Sequence, residues 1–225
     1  MNKGNAVIVL GGDFEYIFFF KERIVRLVGK SGILIGVDSG ADHINFMGLR
    51  PNLIVGDFDS ISKSTENDFS KVEKLVYPSD KDMTDGELAL REAIKRGYKD
   101  IVFFGSMGGR IDHLLQNIFL LELADNLGAN ATIEYDKGTL DLLTENKPEI
   151  VFKVAKGNTV SLIPVSGIVE GVSTEGLKFS LKNAKIERGS SLGISNVADI
   201  NTMNKKVTIS IIKGKLLVIK NSIEV

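Results

Sequence analysis

The first 135 residues alternate short apolar runs with stretches that have helical periodicity. The apolar runs predict buried β-strands at residues 6–10, 33–37, 53–55, 74–77, 101–104 and 131–135. The segments between them predict helices, most clearly at 84–96 and 111–127, where apolar residues recur at helical spacing. Strands that alternate with helices are typical of βαβ units, so this part of the chain predicts an α/β domain with a mostly parallel sheet and flanking helices.

The pattern changes after about residue 140, where Gly, Asn and Ser interrupt short β-rich runs. The runs predict strands at 149–154, 159–164, 178–186, 206–212 and 216–220. The tripeptide Lys213-Gly214-Lys215 predicts a hairpin turn between the last two. We therefore expect a C-terminal all-β sandwich domain. The polar segment TENKP at 144–148 marks the boundary, which gives domains 1–145 and 146–225.

Composition narrows the class of protein. Hydrophobic residues make up 43% of the 225 residues, charged residues 25%, and the net charge is −1, so no basic surface argues for binding to nucleic acid. The chain has no cysteine, which excludes disulfides and thiolate zinc sites. No apolar stretch reaches the roughly 18 residues that span a bilayer. We expect a cytoplasmic protein that uses neither nucleic acid nor a membrane as a partner.

The sequence GDFDS places Asp57 and Asp59 directly after the third predicted strand. In an extended backbone alternate side chains point to the same face, so the two carboxylates would lie together with Phe58 opposite. Two like charges repel each other unless a metal cation or strong hydrogen-bond donors stabilise them. The alternative is a strand-to-loop turn, where Asp and Ser bond their own backbone.

Acidic residues and glycines follow all five of the first predicted strands. These clusters occupy residues 11–13, 38–42, 56–60, 80–85 and 105–113. Because the carboxyl ends of parallel strands share one edge of a sheet, the clusters should line a single cleft. Magnesium prefers carboxylate oxygens together with substrate phosphates, and glycine-rich turns let backbone N–H groups approach phosphate. The pattern predicts a site for magnesium and a phosphorylated substrate.

Several residues of these clusters allow two interpretations. Asp82 and Asp85 are three residues apart at a predicted helix start and would share a face, but Thr84 followed by Glu87 also fits a capping box. Arg110 follows a glycine turn and precedes a helix, which suits a phosphate clamp, and the alternative is a surface arginine that pairs with a nearby carboxylate. His113 is either catalytic or orients its neighbours.

Two common nucleotide-binding fingerprints are incomplete. Gly29-Lys30-Ser31 resembles the end of a P-loop, but Ile24 stands where the first glycine belongs, and the segment precedes a strand rather than a helix. The pair Gly11-Gly12 follows the first strand without the remaining glycine of G-x-G-x-x-G. An NAD-dependent oxidoreductase is therefore disfavoured.

Six segments together resemble the thiamine pyrophosphokinase (thiamine diphosphokinase) family over nearly the whole chain. They are DSGAD (38–42), GLRPNLIVGDFDS (48–60), YPSDKDMTD (77–85), GSMGGRIDH (105–113), VSLIPVSG (160–167) and LKNAKIERGSSLGISN (181–196). The resemblance implies an ATP-dependent transfer of a pyrophosphoryl group to the hydroxyl of thiamine, which yields thiamine diphosphate and AMP. It also implies a need for Mg²⁺ and a homodimer with its active sites at the interface.

The resemblance also assigns site residues. It implies catalytic roles for Asp57, Asp59, Asp82, Asp85, Arg110 and Asp112, the first four as metal ligands and Arg110 as a phosphate contact. The implied nucleotide-binding residues are Asp38, Gly40, Ala41, Lys81, Thr84, Gly108, Gly109, Arg110 and His113. The implied thiamine-binding residues are Ser195 and Asn196, which the partner subunit contributes, together with Asp112.

The chain has no tryptophan, whereas some eukaryotic relatives stack thiamine on one, so we expect an aliphatic or backbone surface to serve here. Two rival functions stay open. One is another pyrophosphokinase, such as a pterin-specific enzyme with a similar acidic cleft. The other is a catalytically silent sensor of nucleotide or thiamine.

Overall fold

The computed structural model describes residues 3–199 and 206–222. The chain divides into two compact units, Met1–Asp136 and Lys137–Val225. Within the described residues no helix is long and apolar enough to cross a membrane.

The first unit alternates strands and helices. Its strands are β1 (Ala6–Val9), β2 (Ile33–Val37), β3 (Leu53–Gly56), β4 (Glu73–Val76), β5 (Asp100–Phe104) and β6 (Asn130–Tyr135). Its helices are α1 (Ile17–Val28), α2 (Gly40–Phe46), α3 (Lys63–Asp68), α4 (Asp85–Lys95) and α5 (Ile111–Asn126).

The six strands form a parallel sheet in the order β6-β5-β1-β2-β3-β4. Strand β1 is central and entirely buried, and its Ala6 lies between Ile33 of β2 and Ile101 of β5. The chain leaves β1 toward β2 but leaves β5 toward β6, so the two connections diverge. Such a switch point opens a crevice beyond the carboxyl ends of the strands, which is where open α/β sheets bind ligands.

Helices cover both faces of this sheet, as the alternating pattern predicts. On one face, Phe20 and Ile24 of α1 and Ile44 of α2 pack against Val7 and Val9 of β1. Helix α4 contacts β1, β2 and β3 and also helix α5, which packs on β6. The α/β prediction for the N-terminal part of the chain is confirmed.

The second unit contains only strands. They are β7 (Gly138–Leu143), β8 (Glu149–Lys153), β9 (Thr159–Pro164), β10 (Ile168–Glu175), β11 (Ala184–Glu187), β12 (Asn196–Val197), β13 (Lys206–Ser210) and β14 (Leu216–Asn221). Two antiparallel sheets form, one from β12-β9-β14-β7 and one from β11-β10-β13-β8. Leu162 and Val218 from the first sheet share one core with Val169 and Ile209 from the second, which confirms a sandwich.

The structure differs from the sequence-based expectations at three places in this unit. The unit begins at Lys137, before the expected boundary at 145, because β7 pairs with β14. The expected strand at 178–186 contains only the start of β11, and β7, β10 and the short β12 were not predicted. The hairpin expected at Lys213-Gly214-Lys215 is wrong, because β13 and β14 belong to different sheets and the connection, with Ile211 buried in the core, passes from one sheet to the other.

Candidate active site

A cavity of about 320 Å³ lies at the carboxyl edge of the parallel sheet. All five strand-end segments contribute to its lining, with Gly12 after β1, Asp38 after β2 and Ser60 after β3. The residues that the sequence assigned to a site and that line this cavity are Asp38, Thr84, Asp85, Gly108, Gly109, Arg110 and His113. The cavity therefore brings together segments from most of the sheet.

The glycine segments after β1 and β5 form the part of the cavity at the switch point. The backbone N–H of Gly12 donates to the carbonyl of Gly105 at 2.8 Å, and that of Asp13 donates to the carbonyl of Met107 at the same distance. These bonds hold the two loops side by side. The Gly108–Gly109 turn then leads directly into α5 at Arg110.

Gly40 and Ala41, which the resemblance assigns to the nucleotide, are buried and do not line the cavity. A Cβ at Gly40 would lie 2.0 Å from the carbonyl oxygen of Val9, so only glycine lets α2 approach β1 this closely. The Ala41 side chain has no exposed surface. Asp38 and Ser39 are the residues of this segment that line the cavity.

Asp38 occupies an unusual position at the end of β2. Its backbone φ is 45°, in the left-handed region, and among the described residues its buried Oδ1 atom has no hydrogen-bond partner. Burial, followed by the charges of Asp85 and Asp57, raises the pKa of Asp38 to about 7. A Cβ at Gly56 would lie 1.6 Å from this Oδ1, so the glycine of GDFDS makes room for the carboxylate of Asp38.

Asp57 and Asp59 are close together, but not because a strand continues through them. Strand β3 ends at Gly56, and Phe58 has a φ of 67°, so the chain turns there and the expected alternation of faces is wrong. The backbone N–H of Asp59 donates to Asp57 Oδ1 at 3.2 Å, which is the turn that the sequence left as the alternative. Phe58 packs against the sheet core.

The two carboxyl groups of this turn differ in acidity. The Ser79 side chain, followed by the Asp59 N–H, lowers the pKa of Asp57 by hydrogen bonding. Its interaction with the neighbouring Asp57 raises the pKa of Asp59. A cation that binds beside Asp57 would relieve this repulsion.

The structure distinguishes between the two interpretations of the segment before α4, a shared helical face for Asp82 and Asp85 or a helix cap at Thr84. The Thr84 side chain accepts a hydrogen bond from the Glu87 N–H at 3.3 Å and caps α4, as the capping-box interpretation predicts. Because α4 begins at Asp85, Asp82 lies outside the helix, and the shared helical face expected for the two residues does not form. Asp85 Oδ1 instead lies 3.1 Å from Lys81 Nζ, without hydrogen-bond geometry. Asp82 is exposed and has no hydrogen bond or ion pair to another described residue.

Arg110 and Asp112 pair with each other at the start of α5. The Arg110 guanidinium donates from Nη2 to Asp112 Oδ2 at 2.5 Å and from Nε to Asp112 Oδ1 at 3.1 Å. This pairing lowers the pKa of Asp112 to about 2. The two side chains are 72% and 62% exposed, and such surface pairs contribute little to stability. The guanidinium is therefore available to an anionic ligand at small cost.

His113 and two further residues complete the α5 side of the cavity. His113 lines the cavity, and its backbone N–H donates to Asp112 Oδ1 at 3.0 Å. Ser106 and Asn117, which were not predicted from the sequence, are joined by a hydrogen bond from Asn117 Nδ2 to the Ser106 carbonyl at 3.2 Å. The available signal was the polar pair Gln116-Asn117 in an otherwise apolar stretch of helix.

In the second unit, Asn196 is buried and its amide makes three hydrogen bonds to the backbone. Only 5% of Asn196 is exposed. Its Nδ2 donates to the Phe179 carbonyl at 2.7 Å, and its Oδ1 accepts from the N–H groups of Phe179 at 3.1 Å and Val197 at 3.0 Å. The side chain thus holds the backbone of Phe179 as a neighbouring strand would.

The residues around Asn196 are exposed. Ser195 has a φ of 55° and donates its backbone N–H to Ser161 Oγ at 3.0 Å, which leaves its hydroxyl at the surface. The Phe179 ring is 63% exposed although its backbone is fixed. The sequence led us to expect an aliphatic or backbone surface in place of a tryptophan, and the exposed Phe179 ring was not predicted.

Two family models match this chain. The model described as thiamin pyrophosphokinase, catalytic domain, matches residues 24–133, and the one described as thiamin pyrophosphokinase, vitamin B1 binding domain, matches residues 146–216. Thiamine pyrophosphokinase of Bacillus subtilis strain 168 is 33% identical over 223 residues, 96% of this chain and 97% of that protein.

Solved structures give the same result. The crystal structure of thiamine pyrophosphokinase from Bacillus subtilis is 28% identical, with a TM-score of 0.83 and coverage of 98% of this chain and 100% of that chain. The crystal structure of thiamin pyrophosphokinase from Geobacillus thermodenitrificans is 29% identical, with a TM-score of 0.79 and 98% coverage of both chains.

Proposed function

The chain belongs to the thiamine pyrophosphokinase family, and we propose that it transfers the pyrophosphoryl group of ATP to the hydroxyl of thiamine. The products are thiamine diphosphate and AMP. The observation that carries the proposal is the cavity at the switch point, which the carboxylates of Asp38 and Asp85 line together with two glycine loops and Arg110. Because the co-substrate is ATP, we also propose a cytoplasmic location.

The phosphates of ATP are proposed to lie along the glycine loops and Arg110. Backbone N–H groups near a helix N-terminus suit phosphate oxygens, and Gly108 and Gly109 immediately precede α5. Arg110 is proposed to leave its exposed pair with Asp112 and bind phosphate instead. Its planar guanidinium can donate two parallel hydrogen bonds to two phosphate oxygens. The acidic group Asp112, thereby freed, is available to the substrate.

The acidic residues are suited to magnesium by their chemistry. No group of three His, Asp or Glu side chains in the described part of the chain is already arranged around a metal position. However, the buried Oδ1 atoms of Asp38 and Asp85 lack hydrogen bonds, and Asp57 adds a third carboxylate that interacts with Asp38. These hard oxygen donors fit Mg²⁺.

We propose that Asp57, Asp59 and Asp85 hold the cation, while Asp82 stays a prediction from the resemblance alone. When bound, Mg²⁺ supplies neutralisation of phosphate charge. Asp85 contacts Lys81 in the structure. We propose that Asp85 gives up or shares this contact when it holds the cation, and that Lys81 contacts phosphate.

The reaction requires positioning more than covalent chemistry by the protein. The thiamine oxygen attacks the β-phosphorus, the bond from that phosphorus to the bridging oxygen of AMP breaks, and the hydroxyl proton passes to a carboxylate or to water. Asp112, with a pKa of about 2, and Asp57, whose pKa is also lowered, are poor proton acceptors. The contributions of the chain are alignment of the reactants and charge stabilisation.

Thiamine is proposed to bind on the second unit at Ser195 and Phe179. An exposed aromatic ring with a fixed backbone offers a stacking surface for a flat, positively charged ring system. The Ser195 hydroxyl offers a hydrogen bond. Asn196 is proposed to act by positioning, because its own amide is engaged with Phe179 and Val197.

The two halves of the site are proposed to come from two subunits of a homodimer. Exposed apolar side chains accompany each half. On α5 they are Ile111, Leu115 and Phe119, spaced by four residues beside Arg110, and near Ser195 they are Leu192, Ile194 and Val197. Contiguous exposed apolar residues next to a functional site are typical of surfaces that another protein covers.

The function is tested by mixing the protein with ATP, magnesium and thiamine and following products by chromatography. We expect AMP and thiamine diphosphate in equal amounts. A parallel reaction with a hydroxymethyl pterin in place of thiamine tests the rival pyrophosphokinase. Pterin turnover without thiamine turnover, or thiamine binding without any AMP release, would contradict the proposal and favour one of the two rival functions.

A further inference from the structure

The segment after β5 carries a buried hydroxyl group, that of Ser106. Ser106 lines the cavity and is only 2% exposed, and its Oγ atom has no hydrogen-bond partner among the described residues. A buried hydroxyl without a partner costs free energy, so native structures rarely keep one that has no use. Because Ser106 belongs to the wall of the cavity, a molecule bound there can supply the partner.

Hydrogen bonds from other segments hold the backbone around Ser106. The carbonyls of Gly105 and Met107, on either side of it, accept from N–H groups of the loop after β1 at 2.8 Å. The Ser106 carbonyl between them accepts from Asn117 Nδ2 on α5 at 3.2 Å. Donors outside the segment therefore bind three consecutive carbonyl oxygens, and this fixes the position from which the Ser106 side chain extends.

The loops after β1 and β5 also lie too close together to shift easily. A Cβ at Gly12 would lie 2.3 Å from the carbonyl oxygen of Met107, and a Cβ at Gly105 would lie 2.3 Å from that of Leu10. Only glycine fits at either position, so backbone packs directly on backbone. A site whose groups are already in place loses less conformational entropy when it binds a ligand.

The neighbours of Ser106 indicate the kind of ligand. The N–H groups of Met107, Gly108 and Gly109 make no hydrogen bond to another described residue, and both glycines line the cavity just before α5. Unpaired N–H groups at the start of a helix favour phosphate oxygens. The Ser106 hydroxyl can turn about its Cα–Cβ bond among staggered positions and add one more donor to the same anion.

We propose that Ser106 binds a phosphate group of the nucleotide through its hydroxyl, and that Asn117 is the positioning residue that holds Ser106 in place. The assignment rests on the proposed function and adds to it two residues that the resemblance does not assign. In this role the Ser106 Oγ donates to a phosphate oxygen. Asn117 acts only through the Ser106 carbonyl, which it joins to α5.

The test uses the whole protein and inorganic pyrophosphate in magnesium buffer, with no thiamine and no turnover. Binding is measured by isothermal titration calorimetry. Ser106→Ala should weaken pyrophosphate binding by about 10- to 100-fold, the range for a lost hydrogen bond to a charged group. The matched control is Ser70→Ala, which removes an exposed hydroxyl from the turn after α3 and should bind pyrophosphate like the wild type.

Thermal melting without pyrophosphate separates a ligand-binding role of Ser106 from a structural one. Ser106→Ala should melt at or above the wild-type temperature, because it removes a buried hydroxyl that has no partner in the described part of the chain. A structural role predicts the opposite pair of results, a lower melting temperature and unchanged pyrophosphate binding.

Asn117→Leu tests the positioning role, because leucine has a similar size and no donor. It should weaken pyrophosphate binding by about fivefold in the wild-type background but by less than about twofold in Ser106→Ala, since Asn117 acts through Ser106. Asn126→Leu, at an exposed position near the end of the same helix, is the matched control and should leave binding unchanged. Equal losses in the two backgrounds would contradict the positioning role.

Three results would overturn the assignment of Ser106. They are pyrophosphate binding by Ser106→Ala within about twofold of the wild type, an equal loss in Ser70→Ala, and no pyrophosphate binding by the wild type. Failure of the proposed function is a separate result, because a protein that binds pyrophosphate through Ser106 and yet forms no thiamine diphosphate would refute only the reaction.

Discussion

Substitution of Asn196 tests whether this residue contacts the ligand directly or positions the residues that do. Its amide makes three hydrogen bonds to the backbone, two of them to Phe179, which lies 17 residues earlier in the chain. Asn196→Ala removes all three and leaves the N–H and carbonyl of Phe179 without these partners. A net loss of about 1 kcal/mol for each bond gives a decrease of about 3 kcal/mol in the free energy of unfolding of the second unit.

Two measurements check this prediction. Urea unfolding followed by circular dichroism gives the change in free energy, and hydrogen exchange of the Phe179 amide reports directly on the bond to Asn196 Oδ1. We expect this amide to lose protection in Asn196→Ala, and the Michaelis constant for thiamine to rise because the Phe179 ring is no longer held. Ser195→Ala is the matched control, because Ser195 is exposed and its substitution should affect thiamine binding but not stability.

The reasoning would be refuted by an Asn196→Ala variant with unchanged unfolding free energy and unchanged exchange at Phe179. A loss of thiamine affinity alone would make Asn196 a direct ligand, as the resemblance first suggested. Equal destabilisation by Ser195→Ala would also contradict the account, because the two neighbouring residues would then have the same structural role.

Three further predictions concern the first unit and the assembly. Arg110→Ala should lower kcat by roughly 100-fold. The melting temperature should change little, because the pair that Arg110 forms with Asp112 is exposed. Steady-state kinetics and a thermal melt measure the two effects, and a large loss of stability would contradict the prediction. In EDTA, the free energy of unfolding should fall as the pH rises from about 4, the usual pKa of an aspartate, to about 7, the raised pKa of Asp38, because the native state holds that proton more tightly. Urea unfolding at several pH values should show this slope for the wild type and a flatter one for Asp38→Asn, and identical slopes would count against it. Mixing Asp59→Asn with Ser195→Ala subunits under exchanging conditions should restore about a quarter of wild-type activity, because half of the dimers are mixed and each has one intact site; no recovery after verified exchange would place the whole site in one chain.

The apolar patterning predicts the first unit well because parallel strands are buried on both faces. Strands β1 and β2 are continuous apolar runs that alternate with helices, and this pattern requires a βαβ arrangement. The grouping of strand-end segments around one cavity follows from the same parallel topology. No details of side-chain geometry are needed for that inference.

The features that the sequence did not reveal depend on backbone conformation and on contacts between distant residues. The positive φ of Phe58 breaks the alternation that the GDFDS pattern suggests. The segment Lys213-Gly214-Lys215 has hairpin composition, yet burial of Ile211 carries the chain to the other sheet. The bond between Asn196 and Phe179 joins two segments with no local signal of pairing.

The central claim is that the acidic, glycine-lined cavity transfers the β- and γ-phosphates of ATP to thiamine as one unit. The most direct measurement uses ATP radiolabelled at the β-phosphorus, with magnesium, thiamine and the wild-type protein. The account predicts that the label appears in thiamine diphosphate and that the nucleotide product is unlabelled AMP. Labelled ADP together with thiamine monophosphate would instead show transfer of the terminal phosphate alone, and would contradict the account.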